Sequence, residues 1–156
     1  MGPHARHTFD SRPPHARSRS LYMSPIRTFI VEDSPIILDN LVATLEELAD
    51  VKVVGSAPDE ASAIEWIRHA SGTFDLVIVD IFLKSGSGLG VLRAVQEAGV
   101  VGHRVVLTNY ATSDIRRRCL ALGADRVFDK SGELEDLIDY CSHMAGGSAP
   151  VLSQLV

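Results

Sequence analysis

Four short apolar runs in this chain each lead into a polar side chain able to do chemistry. Phe29-Ile30-Val31 runs into Glu32 and Asp33, Leu76-Val77-Ile78-Val79 into Asp80, and Val105-Val106-Leu107 into Thr108, while Lys130 closely follows Val127-Phe128. Runs of this length, rich in β-branched residues, read as strands buried on both faces. A carboxylate fixed at the end of a buried strand is costly unless it pairs or binds something, which makes Asp80 the most constraining residue of the chain. The four strand ends supply three carboxylates, one hydroxyl and one ammonium, a set that suits a divalent cation and a phosphoryl group.

Between these runs the pattern turns helical. Strands are expected near Thr28–Glu32, Lys52–Ser56, Leu76–Asp80, Arg104–Thr108 and Arg126–Phe128, and helices near Ser34–Leu48, Asp59–Ala70, Leu89–Ala98, Thr112–Leu122 and Glu133–His143. Ile37, Leu41, Leu45 and Leu48 form one apolar stripe, and Leu134, Leu137, Ile138 and Cys141 another, each at the spacing of a one-faced helix. Pro35 fits a first helical turn after Ser34, and Pro58 is placed to open the second helix in the same way. Gly99 and Gly123 sit where helices end. Five β-α pairs in series imply an α/β domain, a doubly wound parallel sheet with helices on both faces and right-handed crossovers. For five such units the common strand order is 2-1-3-4-5, and ligands bind beyond the strand ends where the order reverses, between strands one and three. Glu32 and Asp33 end the first strand and Asp80 the third, so the three acids flank that crevice.

At 156 residues, 46% hydrophobic and 22% charged, the chain suits one soluble domain. No apolar stretch is long enough to span a membrane. The net charge of −5 is uneven. Residues 1–24 carry four arginines against Asp10, a balance of +3, and the other 132 residues carry 11 basic against 19 acidic side chains, a balance of −8. An acidic body argues against nucleic acid as the main partner. Cys119 and Cys141 are too few for a disulfide framework, which points to a reducing cytoplasm. Residues 1–24, rich in Arg, His, Ser and Pro, read as a disordered basic tail, or as the product of start-site choice if translation begins at Met23. An organellar targeting signal ranks below both, because Pro3, Pro13 and Pro14 interrupt any amphipathic helix. Residues 25–144 are expected to fold, and 145–156 to form a flexible C-terminal tail.

Three carboxylates in one crevice repel one another unless cations intervene. One Mg²⁺ with the Lys130 ammonium matches their charge, and Mg²⁺ is content with two or three carboxylates plus water. An Asp beside such an ion can become an aspartyl phosphate. Here the residues resemble a known family, the receiver domains of two-component response regulators, which have a flavodoxin-like fold of the chemotaxis type. The matching pieces are Val31-Glu32-Asp33-Ser34, Val79-Asp80 with Gly88 eight residues on, Leu107-Thr108, Gly123-Ala124-Asp125, and Asp129-Lys130-Ser131, in order over about residues 26–144.

The resemblance implies that Asp80 is the phosphoacceptor and that Glu32 and Asp33 are the acidic metal pair. It further implies that Phe82 lends its backbone carbonyl to Mg²⁺, and that Thr108 and Lys130 are the switch hydroxyl and the phosphate-binding lysine. The phosphoryl donor would be a phosphohistidine on a sensor histidine kinase or histidine phosphotransfer protein, and the output phosphorylation-dependent binding of a protein target, with neither membrane nor nucleic acid as partner. With only a short tail after Met144, the chain is expected to be a stand-alone receiver without enzymatic output. It departs from the family pattern at four positions. Glu32 replaces the commoner Asp, Lys84 and Ser131 stand where proline is usual, and Val127 stands where an aromatic ring is usual.

The main alternative is a pseudo-receiver that binds a partner without phosphorylation, against which the intact acid set argues. An Asp-nucleophile phosphatase would carry a second Asp two residues after the nucleophile, where this chain has Phe82, which cannot transfer protons. Gly86-Ser87-Gly88-Leu89-Gly90 lacks dinucleotide-loop spacing and reads as a turn into the third helix. Cys119, Cys141 and Trp66 read as packing, and Arg116-Arg117-Arg118 as a solvated helix face. His4, His7 and His15 fall in the expected tail. Phe82 and Tyr110, each two residues past a site residue, are expected to overhang Asp80 and restrict the water that would hydrolyse an acyl phosphate.

Overall fold

Polar caps decide where the helices of this chain begin. The computed structural model describes residues 24–70 and 73–146. Ser34 accepts the Ile37 N–H at 3.3 Å, Asp59 that of Ser62 at 2.8 Å, Ser87 that of Leu89 at 3.0 Å, and Thr112 that of Ile115 at 3.2 Å. Each capping residue keeps an extended backbone, so each helix starts one residue later. The helices are α1 (Pro35–Leu48), α2 (Glu60–His69), α3 (Gly88–Glu97), α4 (Ser113–Ala121) and α5 (Leu134–Gly146). Pro35 is in the first turn of α1 as expected, whereas Pro58 lies one residue ahead of the Asp59 cap. Gly99 and Gly123 follow the ends of α3 and α4 at φ +66° and +97°, a region that costs glycine little. Helix α5 runs to Gly146, past the expected end at His143. The expected tails at 1–24 and 145–156 lie outside the described residues, except for Ser24 at one end and Ala145 and Gly146 at the other.

The strands β1 (Ile26–Val31), β2 (Val51–Ala57), β3 (Leu76–Val79), β4 (His103–Thr108) and β5 (Arg126–Asp129) form one sheet in the order β2-β1-β3-β4-β5. All pairings are parallel. Alternate side chains feed two cores. Phe29, Val31, Val77, Val79, Val106 and Val127 pack with Ala63, Ile67, Leu92 and Cys119 of α2, α3 and α4. Ile30, Leu76, Ile78, Val105, Leu107 and Phe128 pack with Leu41, Leu45, Leu137 and Cys141 of α1 and α5. Burial pushes the Cys141 thiol up to about 12, in keeping with its reading as a small apolar group.

Trp66 is a packing residue, stacked on Phe29 with ring centroids 3.9 Å apart and planes 8° from parallel. Gly55 makes room for it, since a Cβ there would lie 2.6 Å from the indole nitrogen. The β1–β2 register jumps at this point, Thr28 pairing with Val53 and Phe29 with Gly55. Phe29 is fully buried. Phe29→Ala is expected to cost about 3–5 kcal/mol of stability, measured by urea denaturation followed through Trp66 fluorescence.

Candidate phosphoacceptor and metal site

The order of the sheet brings the β1 and β3 ends side by side, and the acids meet there. Glu32 and Asp80 are buried and Asp33 is partly exposed. One ligand oxygen from each lies within 4.8 Å of the others. Lys130, just past the β5 end, inserts its ammonium between two of them, 2.6 Å from Glu32 Oε1 and 2.9 Å from Asp80 Oδ2. Burial alone would lower the Lys130 pKa, but the hydrogen bonds and charges of Glu32 and Asp80 outweigh it and hold the pKa above the usual lysine value.

Each acid also accepts one main-chain N–H. Glu32 Oε2 takes that of Ser34 at 3.0 Å, Asp80 Oδ1 that of Phe82 at 3.1 Å, and Asp33 Oδ2 that of Lys84 at 2.6 Å. Main-chain dipoles therefore orient all three groups before any ligand arrives. Three carboxylates face one ammonium in a mostly buried pocket, leaving two negative charges uncompensated within it. An all-oxygen donor set with that charge fits a small hard dication that retains water.

Thr108, fully buried at the β4 end, accepts the Tyr110 N–H on its hydroxyl oxygen at 3.3 Å, and its main-chain carbonyl accepts the Lys130 N–H at 2.9 Å. Phe82 and Tyr110 leave the loops after β3 and β4 and meet edge to face, centroids 5.1 Å apart and planes 79° from parallel. Both are largely exposed. Gly88 begins α3 where a side chain cannot fit, since a Cβ would strike the Asp80 carbonyl and lie 2.8 Å from Ile81 Cα. The glycine eight residues past Asp80 is thus a consequence of close backbone approach.

The sequence-expected residues Glu32, Asp33, Asp80 and Lys130 converge here, with Thr108 bonded to the Lys130 main chain. Three contributors were not legible. The Lys84 N–H acts through the backbone. Glu60 at the start of α2 accepts the Ser87 N–H at 2.8 Å and so braces the loop after Asp80; nothing local in the sequence marks it. Arg116, expected on a solvated face, donates to Ala111 O at 3.0 Å, Val127 O at 2.9 Å and Glu133 Oε1 at 2.9 Å. Only Arg117 and Arg118 of that triplet are exposed. Buried Val127 and Phe128 face opposite cores.

The family model of the response regulator receiver domain matches residues 28–142. The uncharacterised transcriptional regulatory protein YvfU of Bacillus subtilis is 32% identical over 114 residues, covering 73% of this chain and 56% of that protein. The nitrate/nitrite response regulator protein NarP of Escherichia coli is 31% identical over 126 residues, covering 80% of this chain and 57% of that one. The chain thus spans little more than half the length of these two relatives. Among solved structures, a two-component response regulator of the LuxR family from Aurantimonas sp. superposes with a TM-score of 0.69 at 24% identity, over 80% of this chain and 87% of that one. No helix among the described residues is long and apolar enough to cross a membrane. A match over most of the folded length, on a sheet whose order gathers these acids and this lysine, means that the chain belongs to the response regulator receiver domain family.

Proposed function

We propose that this domain accepts a phosphoryl group on Asp80 from the phosphohistidine of a histidine kinase or phosphotransfer protein, with Mg²⁺ held by Glu32, Asp33, Asp80 and the Phe82 carbonyl. One observation carries the reading: the Asp80 carboxylate is fixed on one oxygen by a main-chain N–H and on the other by Lys130, beside two further acids. An Asp80 oxygen attacks phosphorus, the P–N bond to the donor imidazole breaks, and its electron pair stays on the imidazole. Bound Mg²⁺ supplies charge neutralisation for the transferring group. Lys130 leaves its carboxylate partners to pair with a phosphoryl oxygen, and the Thr108 hydroxyl, whose oxygen accepts the Tyr110 N–H, donates its proton to another.

The output would then be read by a protein partner at the face joined to the Thr108 loop. Arg116 links that loop, through Ala111, to Val127 on β5 and to Glu133 just before α5. A phosphoryl group can bias this face only through contacts that differ between the two states, here those of Thr108 and Lys130.

Acetyl phosphate with Mg²⁺ should add one acid-labile phosphoryl group to the wild type and none to Asp80→Asn, read by intact mass; an unmodified wild type points to the phosphorylation-independent alternative. Phe82→Asn and Tyr110→Ala should each shorten the lifetime of the acyl phosphate several-fold, followed by loss of label, and unchanged lifetimes would discard their shielding role. The Lys130 pKa is raised on folding, so its ion pairs contribute fully below the unfolded lysine value and are lost as pH rises through the folded one. Denaturation between neutral pH and about pH 11 should therefore show a steeper fall in stability above about pH 10 for the wild type than for Lys130→Met.

A further inference from the structure

We infer that Lys84 is a positioning residue that acts through its backbone N–H, setting the Asp33 carboxylate and the Phe82 carbonyl for a divalent cation. The inference rests on the metal reading above and extends it to a residue outside the ligand set. Two of the three acids are oriented from two residues along the chain, Glu32 by the Ser34 N–H and Asp80 by the Phe82 N–H. Asp33 is oriented differently. Its Oδ2 accepts the Lys84 N–H at 2.6 Å across 51 positions of sequence, the shortest of the three bonds, and this bond ties the loop after β1 to the loop after β3.

The consequence reaches two ligands. Asp33 has Oδ2 pinned by this bond, so part of the rotamer freedom that cation binding would remove is already restricted. The Phe82–Lys84 segment is pinned at both ends, by the Phe82 N–H on Asp80 and the Lys84 N–H on Asp33, and the Phe82 carbonyl lies between the two anchors. Among the described residues the Lys84 ammonium makes no ion pair, and the side chain is exposed, so the working atom is the amide. A proline has no N–H to offer.

The loop does not depend on this bond for its own fold. Ser87 pairs with Phe82 in an isolated bridge and donates to Glu60, and the Gly88 N–H reaches the Ile81 carbonyl at 3.0 Å. Lys84 itself lies outside any helix or strand, so a proline there removes no ladder bond.

The test is a calorimetric Mg²⁺ titration of the wild type, Lys84→Ala and Lys84→Pro, with urea denaturation of each. Lys84→Ala keeps the N–H and should bind within about twofold of wild type, while Lys84→Pro should bind about five- to tenfold more weakly, a loss of about 1 kcal/mol or slightly more. Equal affinities for Lys84→Pro and wild type would overturn the inference and leave the metal reading intact, as would an equal loss in both variants, which would assign the effect to the side chain. A wild type that takes up no Mg²⁺ would overturn the metal reading and this inference together. Amide exchange in the wild type decides the matter even if Lys84→Pro fails to fold. The Lys84 N–H should be protected, should lose protection in Asp33→Ala, and should stay protected as Mg²⁺ saturates the site. Faster exchange on Mg²⁺ addition would mean that the bond has to break for binding, and the inference would fail.

Discussion

One ammonium shared between two buried carboxylates is the interaction on which the rest of this structure turns. Lys130 bridges Glu32 and Asp80 from the far end of the chain, with Asp33 beside them. Taking such charges out of water costs several kcal/mol per ion, and one ammonium cannot neutralise three acids. The remainder is offset by three main-chain N–H donors, none of which carries a full charge. The pocket is therefore held together and still electrostatically unsatisfied, the condition in which a dication binds without the protein first having to rearrange its acids.

The sheet can be seen as the device that makes this pocket possible. Near-continuous apolar runs specify strands buried on both faces, and parallel pairing sends every strand end to the same edge. Val127 and Phe128 show how literal the pattern is, since adjacent residues enter separate cores. Element order and faces could thus be taken from the sequence, whereas boundaries shifted wherever a cap was involved. Ser34, Asp59 and Thr112 read as helical because they touch the helix, but their side chains replace the first turn's missing acceptors only while their own backbone stays extended. The register jump at Val54 was not legible either, because it depends on the size of an indole contributed by another element.

The site shows the same division. Glu32, Asp33, Asp80 and Lys130 were legible because strand ends and strand order together fix where a side chain must go. Arg116 was misread for the opposite reason. Its neighbours Arg117 and Arg118 are exposed, and nothing in a run of three arginines marks the one whose helical phase aims it at the Ala111 and Val127 carbonyls. The Lys84 contribution is harder still, since it belongs to an atom that every residue except proline possesses; the only sign was the absence of the family's usual proline.

Arg116 also bears on how a receiver with valine at position 127 can pass a signal. An aromatic ring is usual there, and a switch that works by a ring swinging inward needs a side chain able to swing. Val127 is buried in the core formed with α2, α3 and α4, and has no such freedom. The Arg116 guanidinium joins the elements around it, with three donor groups spent on the Thr108 loop, on β5 and on Glu133. Glu133 in turn accepts the Asp129 N–H at 2.7 Å, one residue from the Lys130 that grips the acids. Its carboxyl is held below the usual range, first by the hydrogen bond from Arg116. In the proposed phosphorylated state Thr108 and Lys130 change partners together, and the planar fork of Arg116 cannot follow its Ala111 carbonyl without straining its bonds to β5 or Glu133. Coupling by rigid hydrogen-bond geometry in this way would need no swinging side chain, which suits the stiff, β-branched valine at position 127.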